Sequence, residues 1–264
     1  MAAAQKLFSR PFRVPSAAFR VTTADGLMLS GSRVGDGGPA LVFCHGFLGW
    51  HRKPGLVRFV ERLAGRFTVY AFDFRGHGDS EGHSTYGDLE PLDIQAVTEL
   101  ARAEEPGPLV TMGISMGGSA VLRHAAIQGG VDAVVAISAP GRWTGHEQRA
   151  WKHLMWVIES SRGRAIAKRF GYRLADAWSD PETPEEVIGR IAPTPVILVH
   201  GEDDRVFDVE EARRLYRAAN EPKRLMIASR FGHAEDGLRP AFADLISARI
   251  TEALSGAHAA VDTA

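Results

Sequence analysis

Ser115 stands in TMGISMGGSA, residues 111–120, with Gly113 and Gly117 two positions to either side and Gly118 directly after. Glycine costs conformational entropy wherever it is ordered, so its presence on both sides of one hydroxyl asks for a reason. A serine held out on a tight turn can act as a nucleophile, given a base to take its proton and a carboxylate to orient that base. Of the ten histidines, His233 is the best base, because it follows a strand-like run, adjoins Gly232 and falls in a loop. His124 lies on the helical run after Ser115 and points away, His146 and His153 fall in a strand-poor middle region, His200 ends a strand, and His258 sits in an alanine-rich tail. HGEDDRV, residues 200–206, supplies the carboxylate: Asp203 and Asp204 are adjacent and point in different directions, with Glu202 a third choice. The chemistry of such a set is attack on a carbonyl with proton transfer through an imidazole.

The surrounding pattern can position these groups. Residues 17–34 read as a hairpin turning at ADG. Short apolar runs at 40–44, 67–73, 108–114, 131–138, 195–201 and 223–229 read as strands, the most continuous of them buried on both faces. Helical spacing recurs at 56–65, 88–105, 116–128, near 208–219 and near 238–254, with Pro91 acceptable only in a first turn. Strands alternating with helices predict a mostly parallel sheet of about eight strands covered on both faces. Ser115 falls where a strand meets a helix, at the carboxyl end of the sheet, where α/β crevices open. Residues 141–193 break the rhythm, being helical, tryptophan-rich and strand-free, and read as an insertion above the sheet.

Together these segments resemble the α/β-hydrolase superfamily, on its serine esterase and lipase side. The resemblance is carried by HGF at 45–47, DFRGHGDS at 73–80, GISMGG at 113–118, HGEDDRV at 200–206 and GH at 232–233, in the family's order across nearly the whole chain. It implies an α/β-hydrolase core at 1–140 and 194–264 with a helical cap at 141–193. It implies that G-x-S-x-G is a nucleophile elbow, followed in chain order by the acid and the histidine. The family's acid stands three residues after a glycine, which selects Asp204 and leaves Asp203 as fallback. The implied oxyanion donors are the backbone N–H groups of Phe47 and Met116, with His45 and Gly46 shaping the first turn and a helix dipole behind the second. DFRGHGDS is implied to be structural, Arg75 and Asp79 tying loops and His77 holding no metal. Ile114 departs from the histidine many relatives carry there, which bears on subfamily rather than on catalysis.

The implied activity is hydrolysis of small-molecule carboxylic esters, or thioesters, through an acyl-enzyme on Ser115, with no cofactor and no metal. Carbon–carbon bond hydrolases and cofactor-free haloperoxidase-type members share the same three groups, and a ligand-binding member that keeps the shell is the non-catalytic alternative. Ser115 argues against epoxide hydrolases and dehalogenases, which use aspartate, and HGFLG in place of HGGPG argues against a peptidase.

Trp151, Leu154, Met155 and Ile158 form one helical stripe in the insertion. The stripe packs the insertion onto the body, lines an apolar acyl site, or does both; His45, Trp143, Trp151 and Met155 are the pocket candidates. Residues 141–175 carry eight cations (Arg142, Arg149, Lys152, Arg162, Arg164, Lys168, Arg169, Arg173) against Glu147 and Glu159. Such a run is a solvated, internally paired face or a rim that attracts an anionic substrate or phospholipid surface.

The 264 residues carry a net charge of −1, which recruits neither nucleic acid nor membrane globally. The single cysteine, Cys44, lies in a buried run, so no intrachain disulfide can form and a reducing, cytoplasmic setting is expected. No apolar run is long enough for an integral membrane segment. The basic N-terminus lacks the apolar core of a secretory signal, and Pro11 and Pro15 would break a presequence helix. A monomer or weak homodimer is expected, and the last ten residues are expected to fray.

Overall fold

The computed structural model describes residues 3–176, 178–256 and 262–263. A short helix, α1 (Ala3–Phe8), precedes the hairpin of β1 (Ser16–Thr22) and β2 (Met28–Val34), which pair antiparallel from Ser16 opposite Val34 to Thr22 opposite Met28. The apolar runs become β3 (Ala40–Cys44), β4 (Thr68–Phe72), β5 (Leu109–Ile114), β6 (Ala133–Ile137) and β7 (Val196–Gly201), each buried along its whole length, and the less buried β8 (Lys223–Ala228). The sheet order is β1-β2-β4-β3-β5-β6-β7-β8-β9, parallel from β4 onward, with β2 antiparallel to β4. The ninth strand, β9 (Asp262–Thr263), is a two-residue addition beside β8 within a tail whose residues 257–261 and 264 lie outside the described residues.

Strand alternation divides the core into two layers. Leu41 and Phe43 pack with Leu56, Phe59 and Val60 of α2 (Pro54–Leu63) and with Ile246 and Ile250 of α9 (Pro240–Leu254). Val42 and Cys44 face the other layer, with Ile94 and Val97 of α3 (Glu90–Glu104), Val121 of α4 (Met116–Ile127) and Leu215 of α8 (Val209–Ala218). Each such large apolar side chain contributes roughly 1.5–3 kcal/mol on burial. Cys44 is fully buried, and burial pushes its thiol pKa well up, as expected for a core residue.

Residues 141–193 carry α5 (Arg149–Glu159), α6 (Ser161–Arg169) and α7 (Pro184–Val187), and a 3₁₀ turn at Ile188–Ile191. Their described residues form no strand; a single bridge joins Leu174 to Ser84. There the chain is stitched to the body by Arg173 N–H to Gly76 O (2.9 Å), Ser84 N–H to Arg173 O (2.7 Å) and Ala175 N–H to Ser84 O (2.9 Å). At the other end Glu211 of α8 accepts from Gly141 N–H (3.1 Å) and the Arg142 guanidinium (2.6 Å). Among the described residues no helix is long and apolar enough to cross a membrane.

Candidate active site

Ser115 is the one-residue corner between β5 and α4, at φ 51° and ψ −121°. A β-carbon-bearing residue in this region costs on the order of 1–3 kcal/mol, and it is held there by Ser115 N–H to Ile137 O (2.8 Å). The flanking glycines are required by close approach. A β-carbon on Gly113 would fall 2.1 Å from Gly117 O, and one on Gly117 would fall 2.4 Å from Cys44 O. The start of α4 therefore rests against the backbone of β5 and the end of β3, and no side chain fits between them.

His233 enters from the loop after β8, at the start of a 3₁₀ turn, Ala234–Gly237. Its Nε2 accepts from Ser115 Oγ–H (2.9 Å) and its Nδ1–H donates to Asp204 Oδ2 (2.8 Å). A carboxylate can only accept, so Asp204 fixes the proton on Nδ1 and leaves Nε2 free as a base. Ser138 Oγ accepts from Ala234 N–H (3.1 Å) and anchors the residue after the histidine. The Asp204 side chain is 1% exposed, and its other oxygen accepts from Val206 N–H (2.8 Å) and Phe207 N–H (3.0 Å). Burial works to raise its pKa, but the hydrogen bond from His233, the electrostatic interaction with that ring and the Phe207 amide outweigh burial and hold it below the ordinary carboxylate value. Asp203 and Glu202 are exposed on the same turn. Tertiary structure thus separates the two adjacent aspartates that sequence spacing left as choice and fallback.

Phe47 lies in a turn closed by Gly49 N–H to Gly46 O (3.0 Å), which leaves the Phe47 N–H unused by the turn itself. Met116 opens α4, where first-turn N–H groups have no intrahelical acceptor. The turn stands beside the serine: a β-carbon on Gly46 would lie 3.3 Å from Ser115 Cβ. The Phe47 turn and the start of α4 thus meet beside Ser115.

The pocket candidates divide. Trp143 and Met155 line a cavity of about 310 Å³, together with Tyr86, Ile158, Leu174 and Trp178. Ser115 is not part of this lining, but the lining adjoins the site: the Tyr86 ring meets Phe47 edge-on at 4.9 Å, and Ser84 Oγ lies 3.9 Å from Met116 Sδ. Trp151 does not line it; Trp151 packs against Tyr86, His146 and Phe207. Within the stripe, Trp151 packs while Met155 and Ile158 line the cavity.

His45, expected at the pocket, does not line it either. It is fully buried, its Nδ1–H donates to Gly46 O (2.7 Å), and its Nε2 accepts from Phe74 N–H (3.1 Å). Burial, with repulsion from His77, lowers its pKa to about 3. A neutral ring with both nitrogens occupied braces the turn.

In the DFRGHGDS segment Arg75 ties loops, and so does Asp73. Arg75 bonds Asp93 (2.7 Å) and Asp25 (2.9 Å). Asp73, fully buried, collects His51 Nδ1–H (2.7 Å), His51 N–H (2.8 Å) and Asp79 N–H (2.9 Å). Three further residues were not legible as site residues. Glu90, fully buried, accepts from Ser84 Oγ–H (2.9 Å), Thr85 N–H (2.9 Å) and Oγ1–H (2.7 Å), Tyr86 N–H (3.2 Å) and Gly87 N–H (2.7 Å). It thereby holds the cavity wall. Tyr172 donates to Leu48 O (2.8 Å), joining the middle segment to the Phe47 turn. Phe207 packs edge-on to His233 at 5.4 Å. Only Glu90 left a signal in the sequence, as an acid in a helix's first turn.

A parallel sheet with a strained serine corner, a loop histidine and a strand-end carboxylate defines the α/β-hydrolase class. Residues 41–259 match the model of the alpha/beta hydrolase family, and the chain belongs to that family. The chain is 32% identical over 178 residues to the pimeloyl-[acyl-carrier protein] methyl ester esterase of Stenotrophomonas maltophilia (strain R551-3), covering 62% of this chain and 64% of that one. It is 28% identical over 163 residues to the uncharacterized protein YfhR of Escherichia coli O157:H7, where the match covers 61% of this chain and 51% of the relative. This chain thus spans between about half and two thirds of those two relatives' length. In fold it resembles the Pyrococcus furiosus esterase Pf2001, with a TM-score of 0.72, 22% identity and coverage of 93% and 94%. It also resembles the esterase RhEst1 from Rhodococcus sp. ECU1013, with a TM-score of 0.70, 20% identity and coverage of 89% and 99%.

Proposed function

We propose that this hydrolase cleaves carboxylic esters through an acyl-enzyme on Ser115. The observation that supports the reading best is the continuous path from Ser115 Oγ to His233 (2.9 Å) and from His233 to Asp204 (2.8 Å). In this reading Ser115 Oγ attacks the ester carbonyl as its proton passes to His233 Nε2. The amides of Phe47 and Met116 take the negative charge on the tetrahedral oxygen, and Asp204 stabilises the imidazolium. His233 then protonates the departing alcohol. A water molecule, deprotonated by His233, attacks the acyl carbon and releases the acid and free Ser115.

Residues 141–193 serve as the cap in this reading, and the cavity under Trp143, Met155 and Ile158 takes the acyl chain. Its aromatic and aliphatic wall favours an apolar acyl group. Labelling with a fluorophosphonate, followed by a chain-length series of p-nitrophenyl esters run beside acyl-CoA thioesters, tests the reading. Labelling at Ser115 with ester turnover supports it. An unreactive Ser115 sinks it in favour of a ligand-binding member, and cleavage of vinylogous diketones in place of esters sinks it in favour of carbon–carbon hydrolysis.

A further inference from the structure

The surface of α1 and α6 carries an apolar groove that the fold leaves open. Phe8 of α1 and Ile166 and Phe170 of α6 and its C-cap line it, 62%, 48% and 53% exposed. Leu7, 80% exposed, stands beside Phe8. The floor is Leu48, Trp50 and Tyr172, so the groove reaches the loop that carries Phe47. Soluble surfaces seldom group so many large exposed apolar side chains without a use for them.

The same surface is basic. Lys6 and Arg10 flank Phe8 in sequence; Lys168 and Arg169 precede Phe170, and Arg162 opens α6. All five are exposed, and none has a carboxylate partner among the described residues. The helices α1 and α6 contain no acid. On the adjoining segments Asp176 pairs with Arg164 (3.3 Å) and Glu159 is exposed. The cations of the middle segment therefore divide: Arg142 pairs with Glu211 of α8 and Lys152 with Glu147, whereas Arg162, Lys168 and Arg169 of α6 face water.

We propose that this face docks on an anionic lipid bilayer, with Leu7, Phe8, Ile166 and Phe170 entering the headgroup region and the five cations meeting lipid phosphates. Apolar side chains ringed by Lys and Arg are what interfacial binding requires, and each cation near an anionic surface adds several-fold in affinity. The charge also selects the bilayer over a second copy of the chain. A twofold pairing of this face would set the five unpaired cations of one copy against the same five of the other.

The test uses the full chain and reads binding, so it is independent of whether Ser115 hydrolyses esters. Cosedimentation with vesicles of phosphatidylcholine containing phosphatidylglycerol should be at least about tenfold tighter than with phosphatidylcholine alone, and high salt should abolish the difference. Arg162→Ala with Arg169→Ala should weaken binding by about twentyfold. Ile166→Ser with Phe170→Ser should weaken it on both vesicle types while the unfolding midpoint stays within a few degrees. Equal binding to the two vesicle types, or unchanged binding by either double variant, overturns the proposal. So does a solution dimer, seen by light scattering, that Phe170→Ser dissociates, because a second copy would then own the groove.

Discussion

At the scale of single residues, the site is defined by where protons can go. His233 has one nitrogen on an acceptor-only carboxylate and the other on a hydroxyl. Ser115→Ala should therefore lower kcat on a soluble ester by about 10⁴–10⁶-fold, read by steady-state kinetics. Near-normal turnover would remove Ser115 from the mechanism. Asp204→Asn should cost about 10³–10⁴-fold by disfavouring the needed tautomer, whereas Asp203→Asn on the exposed side of the same turn should change kcat by about twofold or less. A larger loss at Asp203 would reverse the assignment of the acid.

At the scale of elements, the site depends on turns held by groups distant in sequence. Tyr172, beyond α6, holds the carbonyl of Leu48 next to the Phe47 amide. Tyr172→Phe removes that bond and little packing. It should lower kcat by roughly fivefold with KM little changed, while unfolding free energy falls by about 1 kcal/mol. A KM effect alone would mean that Tyr172 acts on substrate access and not on the turn. Glu90 accepts from Ser84, Thr85, Tyr86 and Gly87 in a fully buried position, so Glu90→Gln places an NH₂ group against donors. A loss of about 2–3 kcal/mol in urea unfolding is expected, and a change within a few tenths would show that water replaces the carboxylate there.

At the scale of the whole molecule, several histidines are buried neutral. Burial depresses the pKa of His45 to about 3 and of His124 to about 4, and lowers that of His200. In the unfolded chain each titrates near 6.5. Below that pH the unfolded state binds protons the folded state refuses, so stability is complete above about pH 6.5. It falls as the pH drops toward 4, by up to about 1.4 kcal/mol per pH unit for each of His45 and His124, with His200 acting in the same direction. Fully buried Asp73 adds to this at lower pH, since its folded pKa lies below the ordinary value: burial raises it, but His51 and its charge outweigh burial. Urea midpoints measured from pH 8 to pH 4 should decline across this window, and a flat profile would mean that these rings protonate in place.

What the amino-acid order determined by itself is what local physics controls. Apolar runs of strand length alternating with amphipathic helices imply the layered parallel sheet, because both faces must be covered. The glycines around Ser115 announce a close backbone approach before its partners are known. Chain order leaves His233 as the loop histidine after the last long strand. Tertiary structure decided what depends on direction and on distant neighbours. Asp203 and Asp204 are chemically identical, and only the fold aims one at His233. His45 and Trp151 have the composition of pocket residues, but three-dimensional packing spends both on bracing. The helix α1 sits where the sequence shows only a basic, proline-interrupted start, and it acquires meaning only beside α6. A net charge of −1 averages the molecule and hides local runs of exposed cations such as Arg162, Lys168 and Arg169 on α6, since charge acts through local distance and composition carries none.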